Sequence, residues 1–433
     1  MRPRLGIVVG GGPAPGINGV IAAATIRAHL SGYEVIGIQD GYEWIMTGDT
    51  SHILPLTIPD ASRMHARGGS YLGISRANPT KTPETLRKTL DAFRHLRIEK
   101  LISIGGDGTG AVAQKLSEVA NGSPRIVHVP KTIDNDIDLP PDVVTFGFQS
   151  ARHVGVSVVQ NLMADAKTTG RWYVVVTMGR QAGHLALGIG KAAGATLSLI
   201  PEEFPKPLDL KTIVDTLAGA IIKRISLGRM YGVCVVAEGL VERLVERDLA
   251  GVPGVLRDEF GHIRFSEIDF GGILKRATEV RLAELGITMT VSTKNIGYEL
   301  RCADPIPFDM EYTRDLGYCA ARYVIEGGDK ALICIQHGHF KAIPLKDMID
   351  PLTGRSRVRL VDLTSTWYRI ARSYMVRLQP EDFHEENLPA LARVLDSVPQ
   401  RFRDEFAYLL DHMPIEASLE EMTLTVPPPG LLP

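Results

Sequence analysis

Residues 101–138 read LISIGGDGTGAVAQKLSEVANGSPRIVHVPKTIDNDID. Two short apolar runs, 101–104 and 126–129, bracket a helical stretch at 111–120. Each run is continuous rather than alternating, as expected of a strand covered on both faces of its sheet. Strand, helix and strand in that order predict a βαβ unit with parallel strands. Each strand end leads into a polar or glycine cluster: GGDGT at 105–109 and KTIDNDID at 131–138. Ligands of open parallel sheets bind beyond the carboxyl ends of the strands, so both clusters point to one site.

The pattern extends both ways. Runs at 5–9, 35–38, 173–177, 233–237 and 331–335 read as further buried strands. Stretches at 17–30, 83–96, 151–164 and 210–226 read as helices between them. More clusters follow strands: GGGPAPG at 10–16, MGRQAG at 178–183, and Glu238 with Gly239. The predicted fold class is α/β, with two doubly wound, Rossmann-like domains of mainly parallel sheet and a helical C-terminal extension. The expected division is 1–150, 151–340 with a charged insertion at about 240–290, and 341–433, partly helical and packing on the core. The tail VPPPGLLP, 426–433, reads as poorly ordered.

A chain of 433 residues exceeds one ordinary core. A net charge of -2 provides no basic field for nucleic acid or an anionic membrane. No stretch reaches the roughly 20 apolar residues of a membrane span. MRPRLGIVVGGG reads as a first strand, its apolar run being too short for a signal peptide. Cys234, Cys302, Cys319 and Cys334 are dispersed with no C-x-x-C pair, which suggests reduced thiols in a cytoplasmic enzyme.

The clusters carry the chemistry. Glycines in GGGPAPGIN, 10–18, let backbone N–H groups approach a phosphate, and the helix that follows favours negative charge at its start. The stretch lacks the GK[ST] of a P-loop, and a plain tight turn is the alternative. Asp107 in GGDGT suits Mg²⁺, which keeps several waters and takes few protein oxygens; an Asp-Gly turn is the alternative. Asp134, Asp136 and Asp138 crowd one loop beside Lys131. Like charges so close are costly unless a cation or substrate uses them. A carboxylate in reach of a sugar hydroxyl can serve as general base in phosphoryl transfer; a solvated acidic loop is the alternative. Arg76 after GGSYLG, Arg180 at a strand end and Arg301 in YELRCADPIPFD are candidate phosphate ligands, with capping or surface ion pairing as alternatives. His184 reads as a helix-face residue.

Taken in order, GG-x-APG-x-N, DGY at 40–42, GGSYLGISR at 68–76, GGDGT, KTIDNDI, MGR at 178–180, PEE at 201–203, AEG at 237–239 and Tyr298-x-x-Arg301 resemble the phosphofructokinase family over about residues 5–320. That family moves phosphate from ATP or pyrophosphate to fructose 6-phosphate. The resemblance implies a glycolytic 6-phosphofructokinase making fructose 1,6-bisphosphate, with the donor on domain 1–150 and the sugar on 151–340. It implies Asp134 as the base for the sugar 1-hydroxyl, Thr132 and Asp136 as positioning groups, Arg180 as a catalytic cation and Asp107 as the Mg²⁺ ligand. Gly11, Tyr42, Arg76, Gly108, Thr109 and Lys131 would line the donor pocket. Met178, Gly179, Arg180, Glu238, Tyr298 and Arg301 would bind fructose 6-phosphate beside Thr132 and Asp134. Arg171 would reach a neighbouring subunit's site, which implies a homodimer or homotetramer. A silent regulatory member would have lost the carboxylates present here, and diacylglycerol or NAD kinases account for GGDGT but not for TIDND followed by MGR.

Pro13 departs from the acidic residue of short bacterial ATP enzymes, and Tyr298 from their His. Ile21 and Thr25 occupy the helix face where those enzymes carry effector-binding arginines. Gly108 leaves room for an α-phosphate where many pyrophosphate enzymes have a second Asp. Lys131 stands where short ATP enzymes have Gly and pyrophosphate enzymes have Lys. Steric exclusion is the harder constraint, a lysine can turn aside or assist the γ-phosphate, and similar Gly-plus-Lys pairs occur in the longer ATP-using branch of the family, so ATP with Mg²⁺ is the expected donor. The alternative is a pyrophosphate-dependent enzyme, with sedoheptulose 7-phosphate as a further acceptor.

Overall fold

The computed structural model describes residues 2–249, 268–352 and 356–412. The middle of the insertion expected at about 240–290, and the tail 426–433, lie outside the described residues. The strands are β1 (Arg4–Val9), β2 (Glu34–Ile38), β3 (Ile53–Leu56), β4 (Ile98–Gly105), β5 (Arg125–Thr132), β6 (Phe146–Gly147), β7 (Trp172–Thr177), β8 (Leu197–Leu199), β9 (Gly232–Ala237), β10 (Val291–Ile296), β11 (Ala331–Gln336) and β12 (His339–Pro344). All seven runs read as strands form one.

Two sheets result. The first has the order β12-β11-β5-β4-β1-β2-β3, with β6 paired to the end of β5. Its centre is parallel and its edges β3 and β12 are antiparallel. The second, β10-β7-β9-β8, is parallel throughout. Side chains of β1 show why its run is continuous: Leu5, Ile7 and Val9 enter the core against helices Ile17–Leu30 and Pro307–Ile325. Val8 enters the opposite core, with Leu90 and Phe93 of helix Pro83–His95 and Leu116 of helix Asp107–Val119. Successive side chains alternate faces, and both faces are covered by helices.

The sheets do not respect a boundary at 340. β11 pairs parallel with β5, so the chain leaves the second sheet and returns to complete the first. Helix Pro307–Ile325 belongs with that return. Its buried Asp309 accepts from the N–H groups of Gly147 (2.9 Å) and Ser150 (2.8 Å), capping helix Phe148–Thr169 from a distant part of the chain. The first lobe is therefore discontinuous in sequence, and a division by sequence order alone could not separate the lobes.

The extension is helical, with Thr366–Ser373, Leu388–Val394 and Pro399–Phe406. It packs on the second lobe: Leu378, Phe402 and Phe406 share a core with Leu217 and Ile221 of helix Leu210–Ser226. Among the described residues no helix is long and apolar enough to cross a membrane. Ion pairs hold the extension down, Lys223–Asp382 and Arg281–Glu405 among them, and the most deeply buried is Arg377–Glu203. Arg377 donates to both carboxylate oxygens of Glu203 at 3.1 and 2.8 Å, and Tyr368 donates to the same carboxylate at 2.6 Å. Their side chains are only 6% and 1% exposed, so neither charge has water to fall back on. Removing one partner of such a pair costs about 3–5 kcal/mol. Arg377→Leu is expected to lower unfolding free energy by that amount in urea denaturation. A loss no larger than the roughly 1 kcal/mol of an exposed pair would show that the pair does not clamp the extension.

Candidate active site

The carboxyl ends of β1, β4, β5, β7 and β9 converge on one cleft of about 660 Å³ between the two sheets. Of the residues read from sequence, Gly11, Tyr42, Arg76, Asp107, Gly108, Thr109, Lys131, Thr132, Asp134, Asp136, Met178, Arg180, Glu238, Tyr298 and Arg301 all line it. Gly179 lies just behind, at φ 129°, where the chain turns so that its carbonyl accepts from Gly239 N–H. Arg171, at the opposite end of β7, is outside the cleft.

On the first lobe the cleft rests on a close approach. The Thr109 side chain lies so near two strand ends that a Cβ on Gly10 would meet it at 2.6 Å and one on Gly105 at 2.3 Å. Both positions need glycine for that reason. GGDGT, read as a loop, is in part the first turn of helix Asp107–Val119, which starts four residues earlier than expected. The start of this helix faces the cleft. Helix Ile17–Leu30 begins away from it, and only Gly11, Gly12 and Pro13 of the GGGPAPGIN stretch reach the lining. The Gly11 N–H, expected to face a phosphate, already donates to Ser75 at 2.9 Å. Asn18 has a separate use: it donates to the Arg67 carbonyl at 3.0 Å and accepts from Tyr71 N–H at 2.8 Å, fixing the loop that leads to the exposed Arg76.

β5 delivers the charged loop. Thr132 Oγ1 accepts from Asp134 N–H at 3.0 Å, and Thr145 holds the far side by donating to the Thr132 carbonyl at 2.9 Å. Asn135 takes a left-handed φ of 55° and accepts from Thr145 N–H at 3.1 Å. Asp134 Oδ1 is buried with no hydrogen-bond partner among the described residues. Burial, and then the charges of Asp136 and Glu238, push the Asp134 carboxyl well above the usual carboxylate range. Burial likewise raises Asp136 and Glu238. Lys131 is driven the other way, down to about 8, by burial and then Arg301, against the pull of Asp134, Asp107 and Asp136. Its ammonium donates to the Gly12 carbonyl. Asp138 is exposed and outside the lining, so only Asp134 and Asp136 of the three loop aspartates share the site.

On the second lobe, Arg301 stacks over the Tyr298 ring, 5.3 Å from its centroid. Arg180 is paired with Glu242, a partner that the sequence did not reveal. His184 starts helix His184–Ala193 and donates through Nε2 to the Arg359 carbonyl at 3.0 Å, while burial lowers it to about 4. Ser75, Asn78 and Gln181 also line the cleft. Ser75 and Gln181 stand inside quoted motifs and Asn78 two residues past one, which was the available signal. Arg359, which bonds the charged loop from the extension, had none.

Residues 4–324 match the family model described as Phosphofructokinase. A pyrophosphate–fructose 6-phosphate 1-phosphotransferase of Thermotoga maritima is 49% identical over 414 residues, covering 94% of this chain and 98% of that one. An ATP-dependent 6-phosphofructokinase of Mycobacterium tuberculosis is 32% identical over 357 residues, covering 81% and 95%. Phosphofructokinase from Saccharomyces cerevisiae shares the fold at a TM-score of 0.66 and 22% identity, over 80% of this chain; this chain spans 44% of that longer one. The match runs through both sheets and through every motif that reaches the cleft: this chain belongs to the phosphofructokinase family and is a phosphotransferase acting on an alcohol group.

Proposed function

We propose that the chain moves a phosphoryl group from pyrophosphate to the 1-hydroxyl of fructose 6-phosphate. The observation that carries this reading is Lys131. The preference for ATP let this lysine either turn aside or assist the γ-phosphate, and its surroundings bear on the first of these. It is only 4% exposed, its ammonium is bonded to Gly12, and a Cβ on Gly11 would stand 3.4 Å from Nζ. A buried stem cannot swing out without emptying the space it fills. The positive charge therefore stays in the donor pocket, which suits a donor whose binding energy is mostly charge. Gly108 remains compatible with a nucleotide, since a Cβ there meets nothing within 4 Å, but open space does not require one. The relative named for pyrophosphate is 49% identical and the one named for ATP 32%, which supports the same direction.

In this reading Asp134 takes the proton of the sugar 1-hydroxyl as its oxygen bonds to phosphorus. The bridging P–O bond of pyrophosphate then breaks and phosphate leaves. Lys131 and Arg76 offset donor charge, and Thr132 and Asp136 set the loop and the acceptor. Arg180, Arg301, Met178 and Glu238 hold the sugar phosphate, Arg180 exchanging Glu242 for it. Asp107 fits a Mg²⁺ ligand: its carboxylate is exposed at the cleft and has no hydrogen-bond partner among the described residues. Mg²⁺ held there would neutralise phosphate oxygens, by the usual one-or-two-carboxylate binding. Arg171, outside this cleft, would serve a neighbouring subunit in a homodimer or homotetramer. Sedoheptulose 7-phosphate is the second acceptor to try, and the setting is the cytoplasm.

Assays of fructose 1,6-bisphosphate formation with Mg²⁺ and either donor should give turnover with pyrophosphate and little with ATP. Turnover with ATP alone would return the assignment to Gly108. Asp134→Ser should lower kcat by about 10²–10⁴-fold. A base works ionised, so a raised Asp134 means that kcat/KM climbs with pH through a midpoint above the ordinary carboxylate range and falls away below it. A midpoint near 4, where free carboxylates titrate, would remove Asp134 from that role. Gly108→Asp adds an acidic residue to the first turn of a helix and meets open space. It should leave the fold and pyrophosphate turnover intact and abolish any residual ATP turnover.

A further inference from the structure

We propose that Arg359 is a positioning residue for the Asp134 loop, and that the segment 356–361 straps this loop to the sugar-phosphate loop of the second lobe. The proposal rests on the reading of Asp134 as the base. Arg359 does not line the cleft, yet each of its three guanidinium nitrogens donates to the chain between Asn135 and Val143, which includes the loop that carries Asp134 and Asp136. Nε donates to the Asn135 carbonyl at 3.1 Å, one terminal nitrogen to the Val143 carbonyl at 2.6 Å, and the other to Asn135 Oδ1. Its own N–H donates to the Asp136 carbonyl at 2.8 Å, and Val358 forms an antiparallel bridge with Ile137.

Two of these contacts meet on Asn135, the one residue of 131–138 with a left-handed backbone. That conformation is uncommon outside glycine, though Asn tolerates it, and its neighbours must hold it. A guanidinium is the one side chain with a rigid fork of donors able to bind a backbone carbonyl, a side-chain amide oxygen and a second carbonyl at once. Turning Asn135 turns the peptide on either side of it, and Asp134 is the residue just before it.

The other edge of the strap faces the second lobe. The Arg359 carbonyl accepts from His184. Val361 N–H donates at 3.0 Å to Glu202 Oε1, which also accepts from Gly183 N–H at 2.9 Å. Gly183 and His184 follow Arg180 and Gln181, which line the cleft, with only Ala182 between. One extended segment therefore holds the loop of the base and the loop of the sugar-phosphate arginine in a single hydrogen-bonded unit. Arg359 touches no substrate-facing surface, so its loss should misplace the base rather than weaken acceptor binding.

The test uses the full chain with pyrophosphate and fructose 6-phosphate, with Asp134→Ser as a reference for loss of the base. Arg359→Lys keeps the charge but loses the fork. It should lower kcat by about 10–100-fold, the scale of a small misplacement of a reacting group, with the KM for fructose 6-phosphate and the thermal midpoint unchanged. Added guanidinium should restore part of kcat in Arg359→Ala without raising its midpoint. Amide hydrogen exchange at residues 133–137 should quicken in Arg359→Lys. If Arg359→Ala fails to fold, Arg359→Lys decides alone. An unchanged kcat, or a rise in KM with kcat intact, overturns the proposal. Should the wild-type protein turn over neither donor, the functional reading fails instead, and unchanged exchange at 133–137 would then overturn the strap separately.

Discussion

The central constraint is negative charge held out of water. Asp134, Asp136 and Glu238 face one cleft, all raised by burial, and Asp134 keeps a buried oxygen with no hydrogen bond among the described residues. A buried carboxylate without a partner is among the costliest arrangements a folded chain can keep. Lys131 and Arg301 offset part of that cost, yet Lys131 is itself buried and close to Arg301, so the cations are also held against their preference. Opposed groups of this kind cluster where a ligand completes the balance. Phosphate groups, a metal ion and a sugar hydroxyl would each relieve a different member.

Maintaining that frustration takes rigid surroundings, and much of the architecture supplies them. Thr109 wedges the start of helix Asp107–Val119 against the ends of β1 and β4, leaving no room for a side chain at Gly10 or Gly105. Asn18 fixes the loop that presents Arg76, and Asp309 caps helix Phe148–Thr169 from across the lobe. In each case a polar side chain satisfies main-chain groups far away in sequence. This stiffens loops that have little apolar surface of their own to bury.

The strands were legible because a strand covered on both faces leaves a continuous apolar run, and the site was legible because its residues stand in short motifs at strand ends. What escaped depends on long-range pairing. Nothing local tells 331–336 to join β5 rather than the nearer second sheet. The early start of helix Asp107–Val119 was hidden by glycines, which oppose helix on propensity and are overruled by packing. The Gly11 N–H was assigned to a phosphate because its bond to Ser75 requires knowing where a loop 64 residues on will lie. Arg180 was visible but not its Glu242 partner. Arg359 sits in a stretch without any motif, so only its contacts mark it.

The donor question shows how two equally visible residues can carry unequal information. Gly108 is an absence, and an empty place beside the cleft admits a nucleotide without selecting for it. Lys131 is a commitment, because a buried ammonium has been desolvated whether or not a ligand is present. From sequence the exclusion argument gave the glycine more weight, since a lysine can turn aside or assist a nucleotide's γ-phosphate. Burial removes the freedom to turn aside. Once the stem is packed and the charge bonded to Gly12, the recoverable energy lies in placing dense negative charge beside it. Pyrophosphate offers that charge with no adenosine to accommodate, and the shape of the pocket then becomes secondary to its potential.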